Sequence, residues 1–286
     1  MTSHDTHWFP GRVIGGCALI LGPLLWMVAL VLRWLPFEIG VFTDKQIAHF
    51  EAQPVALTGE LNAYQAVPEL VITGYAVFLV SVAVLMPAYL TLARLVGERH
   101  RRLAWWGAVL VCLSLLARFY HTGVEQTAFQ LSDDYGLDWA IQAISANYGE
   151  VSYGPWRVPV WFSVGQIFGM LMLLVAAHRS GLLGTVRCLL MMPTVWMWMG
   201  VLKGSELIDI AGAALACVVL IPLGVQVLRE RVPARESRLL SWLRRAASRR
   251  SCPYPGPRPS RARHICRPLA DFGGGGHRAA SRVAVF

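Results

Sequence analysis

The chain has 286 residues, of which 55% are apolar and only 15% are charged, and its mean hydropathy is +0.48. A soluble domain carries about 25% charged residues, so this composition excludes an ordinary soluble fold. Several uncharged runs of about twenty residues, each long enough to cross a bilayer, explain the deficit. The composition therefore predicts an all-α, polytopic membrane protein.

The formal net charge of +9 is concentrated at one end of the chain. Residues 229–286 contain fourteen arginines and three acidic residues, a net charge of +11, whereas residues 1–228 carry −2. We therefore predict a transmembrane domain over 1–228 and a disordered, Pro- and Arg-rich tail over 229–286 that is attracted to anionic lipid. Only Lys45 and Lys203 among the 26 basic residues are lysine. We attribute this to coding bias and expect no specific nucleic-acid partner.

The six cysteines include no Cys-x-x-Cys pair, and four of them lie in apolar runs, where a thiol behaves as a small hydrophobe. The cysteines and histidines of the tail do not have the spacing of a zinc site. We predict no disulfide framework, no metal site and no cofactor.

Six apolar segments are predicted to span the membrane. They cover residues of about 13–35, 68–92, 103–132, 158–177, 182–202 and 206–228. Short helices are predicted in the polar connections, over 43–50, 58–66 and 138–147.

The connections alternate in charge along the chain. Those after the second and fourth spans, and the tail after the sixth, are rich in arginine, whereas those after the first, third and fifth are acidic or nearly uncharged. Cytoplasmic loops of membrane proteins carry an excess of Lys and Arg. We therefore predict that both termini lie in the cytoplasm, and that the protein lies in the plasma membrane.

The end of the third span carries an unusual polar stripe. At about 100° per residue, Arg118, His121 and Glu125 fall within an arc of about 60° on one helix face. A helix beginning at residue 103 rises about 22 Å to Arg118 and about 33 Å to Glu125, which places the stripe in the outer third of the membrane. Two interpretations remain open: paired or snorkelling side chains near a helix end, or a polar pocket that binds a ligand.

Three further carboxylates are predicted at the same level. Glu69 lies in the first turn of the second span, and Glu206 and Asp209 lie at the start of the sixth. Each is explained by helix capping and the helix dipole alone. If the outward ends of the second and sixth spans lie beside the stripe, they form an outward-facing acidic cavity. Asp209 is then predicted to be its deepest carboxylate.

Two classes of function follow from such a cavity. In the first, the protein is a binding or accessory component in which Arg118, His121, Glu125 and Glu206 hold a small apolar or amphipathic ligand, or it partners another membrane protein or a second copy of itself. In the second, it is an intramembrane acid–base enzyme like the membrane-bound terpene cyclases, with Asp209, Glu69 and His121 as the catalytic candidates. A small transporter subunit is a third class, disfavoured by the size of the chain and by the absence of charge at mid-membrane depth.

The third span closes with the sequence ARFYHTGVEQTAFQL, and an acidic connection follows it. With the arrangement of spans over residues of about 10–230, this region resembles uncharacterised small multi-span membrane proteins of actinobacteria. The resemblance implies a helical bundle and a location in the cell membrane, and it implies no activity.

Overall fold

The computed structural model describes residues 10–53, 56–147, 158–196 and 206–229, and within these ranges the fold is built from helices. The tail beyond Arg229, predicted to be disordered, lies outside the described residues. The described helices are α1 (Arg12–Glu38), α2 (Asp44–Glu51), α3 (Leu57–Ala66), α4 (Pro68–Tyr135), α5 (Leu137–Ala146), α6 (Val158–Arg179), α7 (Thr185–Met191), α8 (Pro193–Trp196) and α9 (Leu207–Leu228).

Four of the described helices, α1, α4, α6 and α9, are long and apolar enough to cross a membrane. They confirm the predicted first, fourth and sixth apolar segments close to their predicted bounds, and they place the second and third within α4. Large apolar side chains are exposed on the outer faces of all four helices, as on a surface that contacts lipid. Examples are Leu21, Val80, Phe168 and Val218. The protein is therefore a multi-pass integral membrane protein.

Helix α4 is a hairpin rather than one rod. A straight helix of 68 residues would be about 100 Å long, over three times the thickness of the hydrocarbon core. Its backbone leaves helical geometry at His100, with φ −131° and ψ 56°. The halves 68–99 and 101–135 then fold onto each other, since the rings of Tyr75 and Phe129 lie 5.0 Å apart.

The connection between the predicted second and third spans, over 94–102, is mainly helical. The structure keeps this segment helical on both sides of His100. The reason is local: the segment consists mainly of Arg, Leu and Glu, which favour helix, and it contains no proline.

The predicted fifth span, 182–202, is described only in part. Its first half forms α7 and α8, which meet at Pro193, a residue without the amide hydrogen that a continuous helix needs. The apolar helix Thr185–Val195 is shorter than a membrane crossing, and residues 197–205 lie outside the described ranges. A complete fifth span stays a prediction.

Two glycine pairs allow close helix crossings. A Cβ atom added to Gly224 of α9 would lie 2.8 Å from the carbonyl oxygen of Gly16 in α1. A Cβ atom added to Gly169 of α6 would lie 2.9 Å from the carbonyl oxygen of Gly107 in α4. Small residues allow this backbone approach, which is a common basis of helix association in membranes.

The short helices pack over one end of the bundle, which we call the α3 end. The predicted helices over 43–50, 58–66 and 138–147 are confirmed as α2, α3 and α5. Tyr64 of α3 stacks on Phe129 at 4.7 Å, and its hydroxyl donates a 2.6 Å hydrogen bond to Asp133. This bond to a carboxylate raises the pKa of Tyr64. The opposite end, where α4 turns, is called the His100 end.

Candidate functional site

The polar stripe of α4 points into the bundle. Arg118, His121 and Glu125 are 1%, 2% and 5% exposed, and the neighbouring Ser114 and Thr122 are also buried. The guanidinium carbon of Arg118 lies 4.4 Å from the centroid of the Trp26 ring in α1, an arrangement that favours a cation. The alternative in which Arg118 snorkels to the headgroups is therefore wrong.

An ion cluster of Arg33, Glu60, Tyr75 and Glu125 lies beside the stripe at the α3 end. Nη2 of Arg33 donates hydrogen bonds to Glu60 and, at 3.3 Å, to the hydroxyl of Tyr75. The guanidinium also lies 4.6 Å from the centroid of the Tyr75 ring. Tyr75 also lies within electrostatic range of Glu60 and Glu125. The cluster thus joins α1, α3 and both halves of α4.

Sequence reasoning missed three members of this cluster, Arg33, Glu60 and Tyr75. The helical spacing of Trp26, Leu30 and Arg33 was an available signal, because it places Arg33 on the buried face of α1. No comparable signal marks Glu60, whose burial depends on where α3 docks.

Two arginines and two glutamates are buried in the interior. They are Arg33, Arg118, Glu60 and Glu125, and Arg33 forms an ion pair with Glu60. Nε and Nη1 of Arg118 and Oε2 of Glu125 have no hydrogen-bond partner among the described residues. A cavity of about 10 Å³ adjoins Arg118, Trp26 and Gln166. That volume accommodates about one water molecule, a natural partner for the Arg118 donors.

A much larger pocket opens at the α3 end. Its volume is about 340 Å³, within the range of small-molecule sites. Four glutamates and three aromatic side chains contribute to its lining, and none of the described lining residues is basic. They are Glu38, Glu51, Glu60, Glu206, Trp34, Phe37 and Phe50. We call it the glutamate pocket.

Glu60 links the glutamate pocket to the buried ion cluster. It is only 7% exposed, yet it lines both the glutamate pocket and a cavity of about 10 Å³ that adjoins Arg33 and Tyr75. A ligand in the pocket would therefore meet a carboxylate that is held in place by Arg33.

The three carboxylates predicted to share a cavity with the stripe lie in different surroundings. Glu206 lines the pocket. Asp209 is half-buried and accepts a 3.2 Å hydrogen bond from the backbone N–H of Glu206, within electrostatic range of Arg118 and Arg33. The prediction that Asp209 is the deepest carboxylate is wrong, because Glu60 and Glu125 are more buried. Glu69 is exposed in the first turn of α4 and does not line the pocket.

Within the described residues, no group of three or more His, Cys, Asp or Glu side chains is arranged to hold a metal ion. The chain matches no protein-family model, no curated protein and no solved structure. The fold and the site geometry together describe a multi-pass integral membrane protein with an acidic pocket above a buried ion cluster.

Proposed function

We propose that the protein is a binding component of the cell membrane, and that its glutamate pocket faces the outside and holds a small amphipathic molecule with a cationic head. The observation that carries this proposal is the pocket lining, in which four glutamates and three aromatic rings surround about 340 Å³. Association with another membrane protein or with a second copy of the chain stays a prediction.

The lining fits a cation for two reasons. Carboxylates attract positive charge, and the faces of aromatic rings do the same through their quadrupoles. Ile47 and Leu207 supply apolar surface in the same pocket, which suits the hydrophobic part of an amphipathic ligand.

The outward orientation is supported by the segregation of charge between the two ends. Exposed acidic residues mark the α3 end, and exposed arginines mark the His100 end. The acids include Glu38, Asp44, Glu51, Asp133 and Asp138, and the arginines include Arg12, Arg94, Arg101, Arg102 and Arg179. This segregation supports a positive end in the cytoplasm. The six spans and two cytoplasmic termini stay predictions.

The enzymatic alternative has less support. It assigns acid catalysis to Asp209 or Glu69, yet Asp209 caps α9 and Glu69 lies away from the pocket. His121 is buried among the stripe residues and does not line the glutamate pocket. The resemblance to actinobacterial membrane proteins stays a prediction and adds no activity.

Equilibrium dialysis of the purified full-length protein tests the proposal with two probes of the same shape and opposite charge, tetraphenylphosphonium and tetraphenylborate. We expect the cation to bind and the anion not to. The double variant Glu51→Gln/Glu206→Gln removes two exposed rim carboxylates and should weaken cation binding about tenfold, since each exposed charge pair contributes about 0.7 kcal/mol.

The matched control is Glu69→Gln, which removes an exposed glutamate at the same end but outside the pocket. It should leave binding unchanged. Equal binding of the two probes, or equal loss in the control, would refute the proposed site.

A further inference from the structure

A second cavity lies at the His100 end of the bundle and shares no lining residue with the glutamate pocket. It has a volume of about 430 Å³ and is bordered by residues of both halves of the α4 hairpin. Arg94 and Glu98 come from the first half, and Arg101 and Trp105 from the second. The remaining lining, including Leu90 and Ala104, is mainly apolar. We call it the hairpin groove.

The groove combines the two surfaces that a phospholipid needs. Its apolar walls suit acyl chains, and two guanidinium groups against one carboxylate give it a net positive charge. Guanidinium groups bind phosphate oxygens through paired hydrogen bonds. Basic pockets between spanning helices are known to take anionic headgroups.

Two exposed tryptophans indicate how deep in the membrane the groove lies. Trp105 and Trp106 are 58% and 54% exposed, and their rings contact each other at 4.8 Å in an edge-to-face arrangement. Tryptophan prefers the headgroup region of a membrane. The groove therefore lies where a lipid phosphate would be found.

The neighbouring Arg99 has a different role. Its Nη1 atom donates a 2.6 Å hydrogen bond to the carbonyl oxygen of Ser180, which follows the last turn of α6. This contact fastens the hairpin to α6. Arg99 does not line the groove.

We propose that the hairpin groove binds an anionic phospholipid of the phosphatidylglycerol class. The phosphate lies between Arg94 and Arg101, the acyl chains follow the apolar walls, and Glu98 accepts hydrogen bonds from the headgroup hydroxyls. The proposal is independent of the glutamate pocket.

Native mass spectrometry of the full-length protein in a neutral detergent tests this site. Phosphatidylglycerol and phosphatidylcholine with identical acyl chains are titrated separately, and the wild type should retain one phosphatidylglycerol in preference. The variant Arg94→Ala/Arg101→Ala should bind it about thirtyfold more weakly, the loss expected for two arginines at a membrane surface. The single variant Arg101→Gln should lose about fivefold, and it keeps the test decisive if the double variant does not fold.

The charge-matched control is Arg102→Ala/Arg187→Ala, which removes two exposed arginines outside the groove. It should bind phosphatidylglycerol like the wild type. An equal loss in the control would show general attraction to basic charge and overturn the site. Equal retention of phosphatidylcholine or phosphatidylethanolamine would also overturn it, and so would full displacement by inorganic phosphate.

Discussion

Arg33 and Glu60 form the contact that joins the interior of the bundle to its pocket. The arginine comes from a spanning helix and the glutamate from a short helix that packs over it. Both side chains are buried, so each charge depends on the other for compensation. The pair therefore fixes α3 on the bundle and also fixes the carboxylate at the base of the glutamate pocket.

Breaking this pair from one side should be strongly destabilising. Glu60→Gln keeps the shape of the side chain but leaves Arg33 buried with less compensation, and we expect a loss of about 3–5 kcal/mol. The double variant Arg33→Met/Glu60→Gln should lose less than the sum of its single variants, because it leaves no unpaired charge at either position. Thermal unfolding in detergent measures both. Additive losses would contradict a coupled pair, and Glu69→Gln is the exposed control.

At the scale of residues, sequence reasoning identified the polar stripe of α4 but not the arginine and glutamate that α1 and α3 contribute beside it. Arg118, His121 and Glu125 were recognisable because they interrupt an apolar run on a single helix face, and that face is buried. Whether the stripe faced the bundle or the headgroups was not decidable, since an arginine near a helix end satisfies both arrangements. Glu60 was not recognisable from the sequence, because a glutamate in a polar connection is buried only when its helix docks on the rest of the fold.

At the scale of elements, the backbone contact between α4 and α6 depends on having no side chain at the crossing. A Cβ atom at Gly169 would lie 2.8 Å from Cγ2 of Val111 and 2.9 Å from the Gly107 carbonyl oxygen. The backbone atom cannot rotate away, so the helices would have to separate. This crossing is therefore expected to be intolerant of even one added methyl group.

Gly169→Ala should destabilise the protein by about 1–3 kcal/mol, the usual cost of overpacking a tight contact. The matched control is Gly123→Ala, also within a spanning helix, where an added Cβ meets no atom within 4 Å. It should be neutral or slightly stabilising, because alanine restricts the unfolded backbone. The comparison uses thermal unfolding of both variants in the same detergent. A Gly169→Ala protein as stable as the control would contradict the crossing.

The helices themselves were largely predictable, and their junctions were not. Apolar runs of about twenty residues identify α1, α6 and α9 within a few residues. The connection between the predicted second and third spans is helical except at His100, where the halves of α4 turn. Charged residues with high helix propensity continue a helix beyond the membrane, so a drop in hydropathy marks the membrane boundary and not the end of the helix.

At the scale of the whole molecule, the two ends have opposite character. The α3 end carries exposed acids and the glutamate pocket, and the His100 end carries exposed arginines and the hairpin groove. The alternation of charge along the chain predicted this segregation, because connections on one side of a membrane are necessarily neighbours. The glutamate pocket had no such signature in the sequence, since its lining is assembled from α1, α2, α3 and the start of α9.

The central claim is that the glutamate pocket opens to the outside of the cell. The direct measurement is labelling of single cysteines in intact cells with a membrane-impermeant maleimide, after replacement of the six native cysteines by serine. Glu51→Cys at the pocket rim should be labelled in intact cells, and Arg102→Cys at the His100 end only after permeabilisation. Labelling of Arg102→Cys in intact cells, with Glu51→Cys protected until permeabilisation, would contradict it.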